Sequence, residues 1–299
     1  MKKSIIIMII VIIILILLLS LLDVCNGYRI DFKNVKNNMK DYPDYNYSLG
    51  AYPYDGSCKN NEKELNTLYS IVDFIHKHKK FEYSNNNRSK QNKVNIKIIF
   101  FKKNNIIQFD LIEKIINYAN KYNVMVGLAA LLKGDKKDEI DIYLKLIKLG
   151  YTNIFITLAS YRDDIDDSVD LILKNNGCIR LVKGWYNDGN VKDWSIVTQN
   201  YFRNAKKLVE TGNYHVLGTH DFIILKNLYD IYGQTRMDNI EIAFFYFNRE
   251  LVTEKQNDFP YNIKYKQFYN PYGMICKSAL YNMKNSDLIG IFKRKVFKL

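Results

Sequence analysis

The chain has 299 residues, 47% hydrophobic and 25% charged, which describes a globular protein able to bury a proper core in one large domain or two small ones. The net charge of +13 is carried by lysines scattered along the chain rather than gathered into a block, which speaks against a nucleic-acid partner. Cys25, Cys58, Cys178 and Cys276 lie far apart without a C-x-x-C pair, and His76 and His78 fall on different faces of a helix, so neither a zinc site nor a disulfide framework is indicated.

The chain opens with Lys2-Lys3 and then an uncharged run from Ile5 to Leu22 that holds no Gly or Pro. Its length approaches the roughly 20 residues that cross a bilayer. The exit, Asp23-Val24-Cys25-Asn26-Gly27, lacks a small-x-small cleavage site. Residues 1–24 are therefore expected to be an uncleaved, single-pass membrane anchor, followed by a linker over 25–44; the alternative is a signal peptide and a secreted protein. Asn46-Tyr47-Ser48 and Asn87-Arg88-Ser89 fit the glycosylation triplet, a pattern that an Asn-rich chain produces freely.

From residue 45 onward, short apolar runs alternate with amphipathic helical patterns. Strands are expected to start near Tyr47, Val94, Val124, Ile154, Cys178, Tyr214, Ile240 and Lys264. Between them, Leu65-Leu68-Val72-Ile75, Phe109-Ile112-Ile116-Ala119, Ile140-Tyr143-Leu144-Ile147 and Tyr201-Ala205-Leu208 each share one helical face. Ile224-Leu228-Ile231 does the same, with Gly233 as a stop. The stretch 83–93 is polar and Asn-rich and reads as a surface loop. Runs such as 124–132 and 153–159 are apolar on both faces, as strands covered on both sides should be. Eight strand–helix units over 45–299 fit a (β/α)8 barrel, for which ~250 residues is typical. An open doubly wound sheet would carry a Gly-rich phosphate loop after its first strand, and residues 48–56 do not.

One stretch stands out. In "CIRLVKGWYNDG" (178–189), period-two alternation sends Ile179 and Leu181 to one face and Arg180 to the other. With the apolar pair against the helices, Arg180 points into the barrel, and Lys183-Gly184 falls at the strand end, where such barrels keep their chemistry.

Several segments together resemble the proline dehydrogenase family. "RLVKGWY" (180–186) is similar to its Arg-Leu-Val-Lys-Gly-Ala-Tyr strand, and "LASY" (158–161), with Asp166-Asp167 after it, to its Leu-Gln-Ala-Tyr. "GTHD" (218–221), "EIAFFYF" (241–247) and "FYNPYG" (268–273) resemble its sixth, seventh and eighth strand ends. "SLGA" (48–51) and "NIKIIFF" (95–101) resemble its first and second strands. The resemblance implies a (β/α)8 barrel that binds FAD and passes a hydride from L-proline to the flavin, giving a pyrroline carboxylate. It implies a catalytic role for Arg180 and cofactor contacts at Leu128, Ala159, Tyr161, Arg180, Lys183, Gly184, Thr219 and His220. It also implies substrate contacts at Lys97, Tyr269, Lys284 and Asn285. Reduced flavin gathers negative charge at its pyrimidine end, which fixed cations stabilise.

The departures fall on the acidic and clamp positions. The family's Asp-Met-Glu in the third strand is Gly127-Leu128-Ala129 here, its fourth-strand Gln is Ala159, its first-strand Glu is Ala51 and its seventh-strand Gln is Ala243. The Arg-Arg pair that grips the proline carboxylate becomes Lys284-Asn285, which offers charge without the planar fork. The expectation is a weakened proline affinity or a different, proline-like amino acid. A further expectation is a strand-end mouth where Arg180 and Lys183 lack acidic neighbours and call for an anionic partner. The competing readings are a catalytically inactive barrel serving as a membrane-anchored binding or structural protein, and a basic binder of membrane surfaces or nucleic acid. The sequence does not name an electron acceptor.

Overall fold

The computed structural model describes residues 36, 39–42, 44–51, 61–78, 92–97, 102–103, 106–130, 136–184, 191, 193–245 and 249–272. The expected anchor at 5–22, the second glycosylation triplet and the Lys284-Asn285 positions lie outside the described residues. Among the described residues no helix is long and apolar enough to cross a membrane.

Eight parallel strands close into a barrel: β1 (Tyr45–Ala51), β2 (Lys93–Lys97), β5 (Met125–Ala130), β6 (Ile154–Ala159), β7 (Ile179–Val182), β8 (His215–Gly218), β9 (Ile240–Phe245) and β10 (Tyr265–Tyr272). Each barrel strand neighbours the next in sequence, and β10 closes on β1. The stretch around Arg180 is the fifth barrel strand, as its sequence order predicts. A two-stranded antiparallel hairpin, β3 (Lys102–Lys103) and β4 (Ile106–Ile107), follows β2.

The described helices are α1 (Asn61–Lys77), α2 (Phe109–Lys121), α3 (Lys136–Lys148), α4 (Ile165–Lys174), α5 (Trp194–Glu210), α6 (Phe222–Met237) and α7 (Arg249–Asn257). Their apolar stripes bury Ile71, Ile115, Tyr143, Ile172 and Leu208 against the outward faces of the strands, such as Ile96, Leu128, Ile156, Leu181 and Ile242. This shell between strands and helices holds most of the apolar core. A smaller cluster of Met125, Phe155 and Cys178, with Tyr214 against it, fills part of the barrel interior.

Three sequence expectations are corrected. Ile231 is 54% exposed: Ile224 and Leu228 of the expected stripe are buried and the helix breaks at Gly233 (φ 72°, ψ 168°) as expected, but the buried face of α6 runs on through Leu225 and Tyr229 rather than Ile231. The end of the polar stretch 83–93 is not surface: Asn92 and Lys93 are buried, Asn92 accepting from the Tyr47 amide at 2.7 Å. Asn46, in a glycosylation triplet, is also buried in the barrel, donating to Glu241 at 2.8 Å.

Candidate functional site

The barrel interior is polar at its centre. Alternation turns Asn46 and Ser48 of β1, Lys93 and Asn95 of β2, Arg180 of β7, Glu241 of β9 and Gln267 of β10 inward, and all seven are buried. Arg180 Nη1 donates to Asn95 Oδ1 at 2.9 Å, and Nη2 donates to Ser48 Oγ at 2.7 Å and to Gln267 Oε1. Its guanidinium also lies over the Phe155 ring, 4.6 Å from the centroid. Gly127 makes room for this contact, since a Cβ there would stand 2.2 Å from Phe155 and 2.5 Å from Asn95.

Beside this cradle, Lys93 Nζ and Glu241 Oε2 form an ion pair at 2.8 Å with neither side chain exposed. Glu241 also accepts from Asn46, from Gln267 Nε2 at 3.2 Å and from the Tyr214 hydroxyl. Burial pushes the Lys93 ammonium below the usual lysine range against the pull of Glu241, and nearby Arg180 lowers it further. Burial and the adjacent Glu241 carboxylate push the Tyr214 phenol well up.

The strand ends hold a second group. Lys183, just past β7, pairs with Asp221 at 2.9 Å and is 22% exposed. Asp221 is the N-cap of α6: its Oδ1 accepts from the Ile223 and Ile224 amides, both at 3.2 Å. Its own amide donates to Thr219 Oγ1 at 3.0 Å. Burial raises the Asp221 carboxyl, but Lys183 and the helix amides outweigh it and hold the group below the usual range. The expected mouth without acidic neighbours is thus corrected, because the cap residue of α6 reaches the lysine.

His220 Nε2 accepts from the Phe245 amide at 2.8 Å, so its other ring nitrogen carries the proton and the imidazole is neutral. Burial, with Lys255 nearby, lowers its pKa from 6.5 to about 4. Gly184 has φ 103°, a conformation that suits glycine, and a Cβ there would lie 1.8 Å from the Tyr161 ring. Tyr161, rather than open space, therefore faces this glycine.

The structure brings Lys183, Thr219 and His220 together at one end of β7 and β8, and sets Arg180 deeper, in the interior cradle. Leu128 faces the helices. Ala159 and Tyr161 are buried in a cluster with Val197, packed by Val182 and Val191. Lys97 and Tyr269 lie on β2 and β10. Sequence reading missed Asn95, Glu241, Gln267 and Asp221 as partners. Polar residues at the inward parity of otherwise apolar strands were the available signal.

The architecture is that of a closed parallel (β/α) barrel with a buried polar interior. Among solved structures, the chain is similar to proline utilization A (PutA) from Bdellovibrio bacteriovorus inactivated by N-propargylglycine, with a TM-score of 0.65 at 17% identity, over 87% of this chain and 32% of that one. Proline utilization A from Corynebacterium freiburgense gives a TM-score of 0.59 at 12% identity, over 85% of this chain and 29% of that one. A Bradyrhizobium japonicum variant gives 0.60 at 13%, over 85% of this chain and 30% of that one. The chain spans about a third of the length of these proteins, and the likeness is one of fold. Comparisons with protein-family models and with curated proteins return no match.

Proposed function

We propose that the protein is a divergent flavin-dependent oxidoreductase of the proline dehydrogenase type, acting on a proline-like amino acid. The observation that carries this reading is the gathering of Lys183, Thr219 and His220 at adjoining strand ends of a barrel that shares its fold with proline utilization A. The donor set suits the pyrimidine end of a flavin: Lys183 supplies a half-buried cation and Thr219 a hydroxyl fixed by the Asp221 amide. FAD, when bound, supplies the hydride acceptor. Lys183 would hold the negative charge gathered on the ring, and Thr219 would orient it. His220, neutral, keeps the end of β9 in place through Phe245. Arg180 lies beneath as the interior cation of the same strand. Lys97 and Tyr269 would meet the substrate, with Lys284 and Asn285 at the family's carboxylate clamp. The run 5–22 would tie the protein to a membrane.

The test is a titration of purified protein with FAD, followed by anaerobic addition of L-proline and related cyclic amino acids. Flavin absorbance that shifts on binding and bleaches with an amino acid supports the reading, as does weakened binding in Lys183→Met. A protein that takes up no FAD refutes it.

A second reading, a barrel that binds or scaffolds without catalysis, is favoured by two features. The third barrel strand offers Gly127, Leu128 and Ala129 where the family has its carboxylates, and the Arg180 Nη atoms are already engaged by Asn95, Ser48 and Gln267.

A further inference from the structure

We infer that Glu241 is a positioning residue for Arg180 and acts through Gln267, whose side-chain amide it locks in one orientation. A primary amide has one accepting and one donating end, and which way it points is set by its partners. Gln267 stands between a carboxylate, which only accepts, and a guanidinium, which only donates. Its Nε2 donates to Glu241 Oε1 at 3.2 Å, so its Oε1 is turned to Arg180 Nη2. Asn95 is set by the same logic from the other side: its Nδ2 donates to the Leu49 carbonyl at 3.2 Å and to Ser48 Oγ at 2.6 Å, which leaves Oδ1 for Arg180 Nη1.

The guanidinium therefore rests between two amide carbonyls whose directions are dictated from behind. For Asn95 the dictating groups are the Ser48 hydroxyl and the Leu49 backbone carbonyl, the second of which cannot be lost by mutation. For Gln267 it is the Glu241 carboxylate, paired with Lys93 at 2.8 Å and held by Asn46 and Tyr214. Lys93 thus stabilises the charge that orients Gln267, two side chains away from the arginine. The consequence for ligand binding rests on the functional reading above, in which Arg180 serves the flavin end of the site; the positioning itself does not.

The experiment reads Arg180 directly. Guanidinium 15N resonances of the protein without added flavin, assigned with Arg180→Lys, report whether the side chain is pinned. We expect resolved Nη signals in the parent and averaged or shifted ones in Gln267→Met. The paired change Lys93→Met/Glu241→Gln removes both charges together, so that neither is left unpaired inside. It should perturb the Arg180 signals in the parent and add nothing in the Gln267→Met background, the signature of one shared route. Unchanged Arg180 signals in folded Gln267→Met, or an equal and additive effect of the charge pair without Gln267, overturn the inference. FAD affinity is a separate arm: Gln267→Met should weaken it by roughly ten- to a hundred-fold, the weight of a hydrogen bond to a charged group. If no variant nor the parent binds FAD, the functional reading fails while the Arg180 spectra still decide the positioning.

Discussion

Lys93→Met is the sharpest probe of the interior. Methionine matches the lysine stem in length and fills the same space, so the change deletes the ammonium with little loss of packing. What remains is the Glu241 carboxylate, wholly buried, with the neutral donors Asn46, Gln267 and Tyr214 still on it. Breaking a buried pair by removing one partner costs about 3–5 kcal/mol. Set against the ~5–15 kcal/mol that holds a typical domain folded, this is a large fraction. Urea unfolding followed by far-UV circular dichroism would show it as a lower midpoint at unchanged slope. Lys93→Met/Glu241→Gln should recover most of the loss, since no unpaired charge is left inside. A loss under ~1 kcal/mol, the worth of an exposed pair, would refute the reasoning, as would a double variant no more stable than the single one.

Acid should act through His220. Its pKa is lowered from 6.5 to about 4 on folding, so the unfolded chain takes up the proton first; this contribution to stability is whole above pH 6.5 and is lost as pH falls through 4. His220→Gln, which can still accept from Phe245, should flatten that limb in denaturation midpoints measured across the range. Asp221→Ala should cost about 1–2 kcal/mol through the lost α6 cap, whereas Asp221→Asn, an equally good cap, should cost far less; equal losses would show the Lys183 pairing to be the larger part. Gly184→Ala should destabilise by about 1–3 kcal/mol, from the left-handed backbone and the Tyr161 contact together, and Tyr161→Ala in the same chain should relieve only the contact.

The barrel was legible because each strand is a short apolar run followed by one amphipathic helix, and period-two alternation alone placed Arg180 inside. The partners were less legible. Nothing local to "RLVKG" says that Ser48, Asn95 and Gln267, far off in sequence, supply its acceptors; closure brings them there. Lys93 was taken for loop because its neighbours are polar, and the ion-pair partner that accompanies its burial, Glu241, lies 148 residues on. Asp221 was visible as a residue of "GTHD", yet its reach to Lys183 depends on how far apart β7 and β8 end, a distance sequence does not carry. Gly184 was expected as a cofactor contact, and the side chain packed against it, Tyr161, comes from the neighbouring strand end.

The seam between β1 and β10 joins the beginning of the barrel to its end over seven residue pairs, from Tyr45 with Lys266 to Ala51 with Tyr272, with Tyr45 stacked on Phe268 at 4.0 Å. During synthesis the first strand must wait for the last. Until residue 272 has left the ribosome, a nascent sheet has two unsatisfied edges, each a template for pairing with another chain. The cost of bringing such distant segments together comes before the contacts that reward it. Closure of the barrel thus waits for its last strand, and its exposure to misassembly is set by the time spent making the two hundred-odd residues between the halves of the seam.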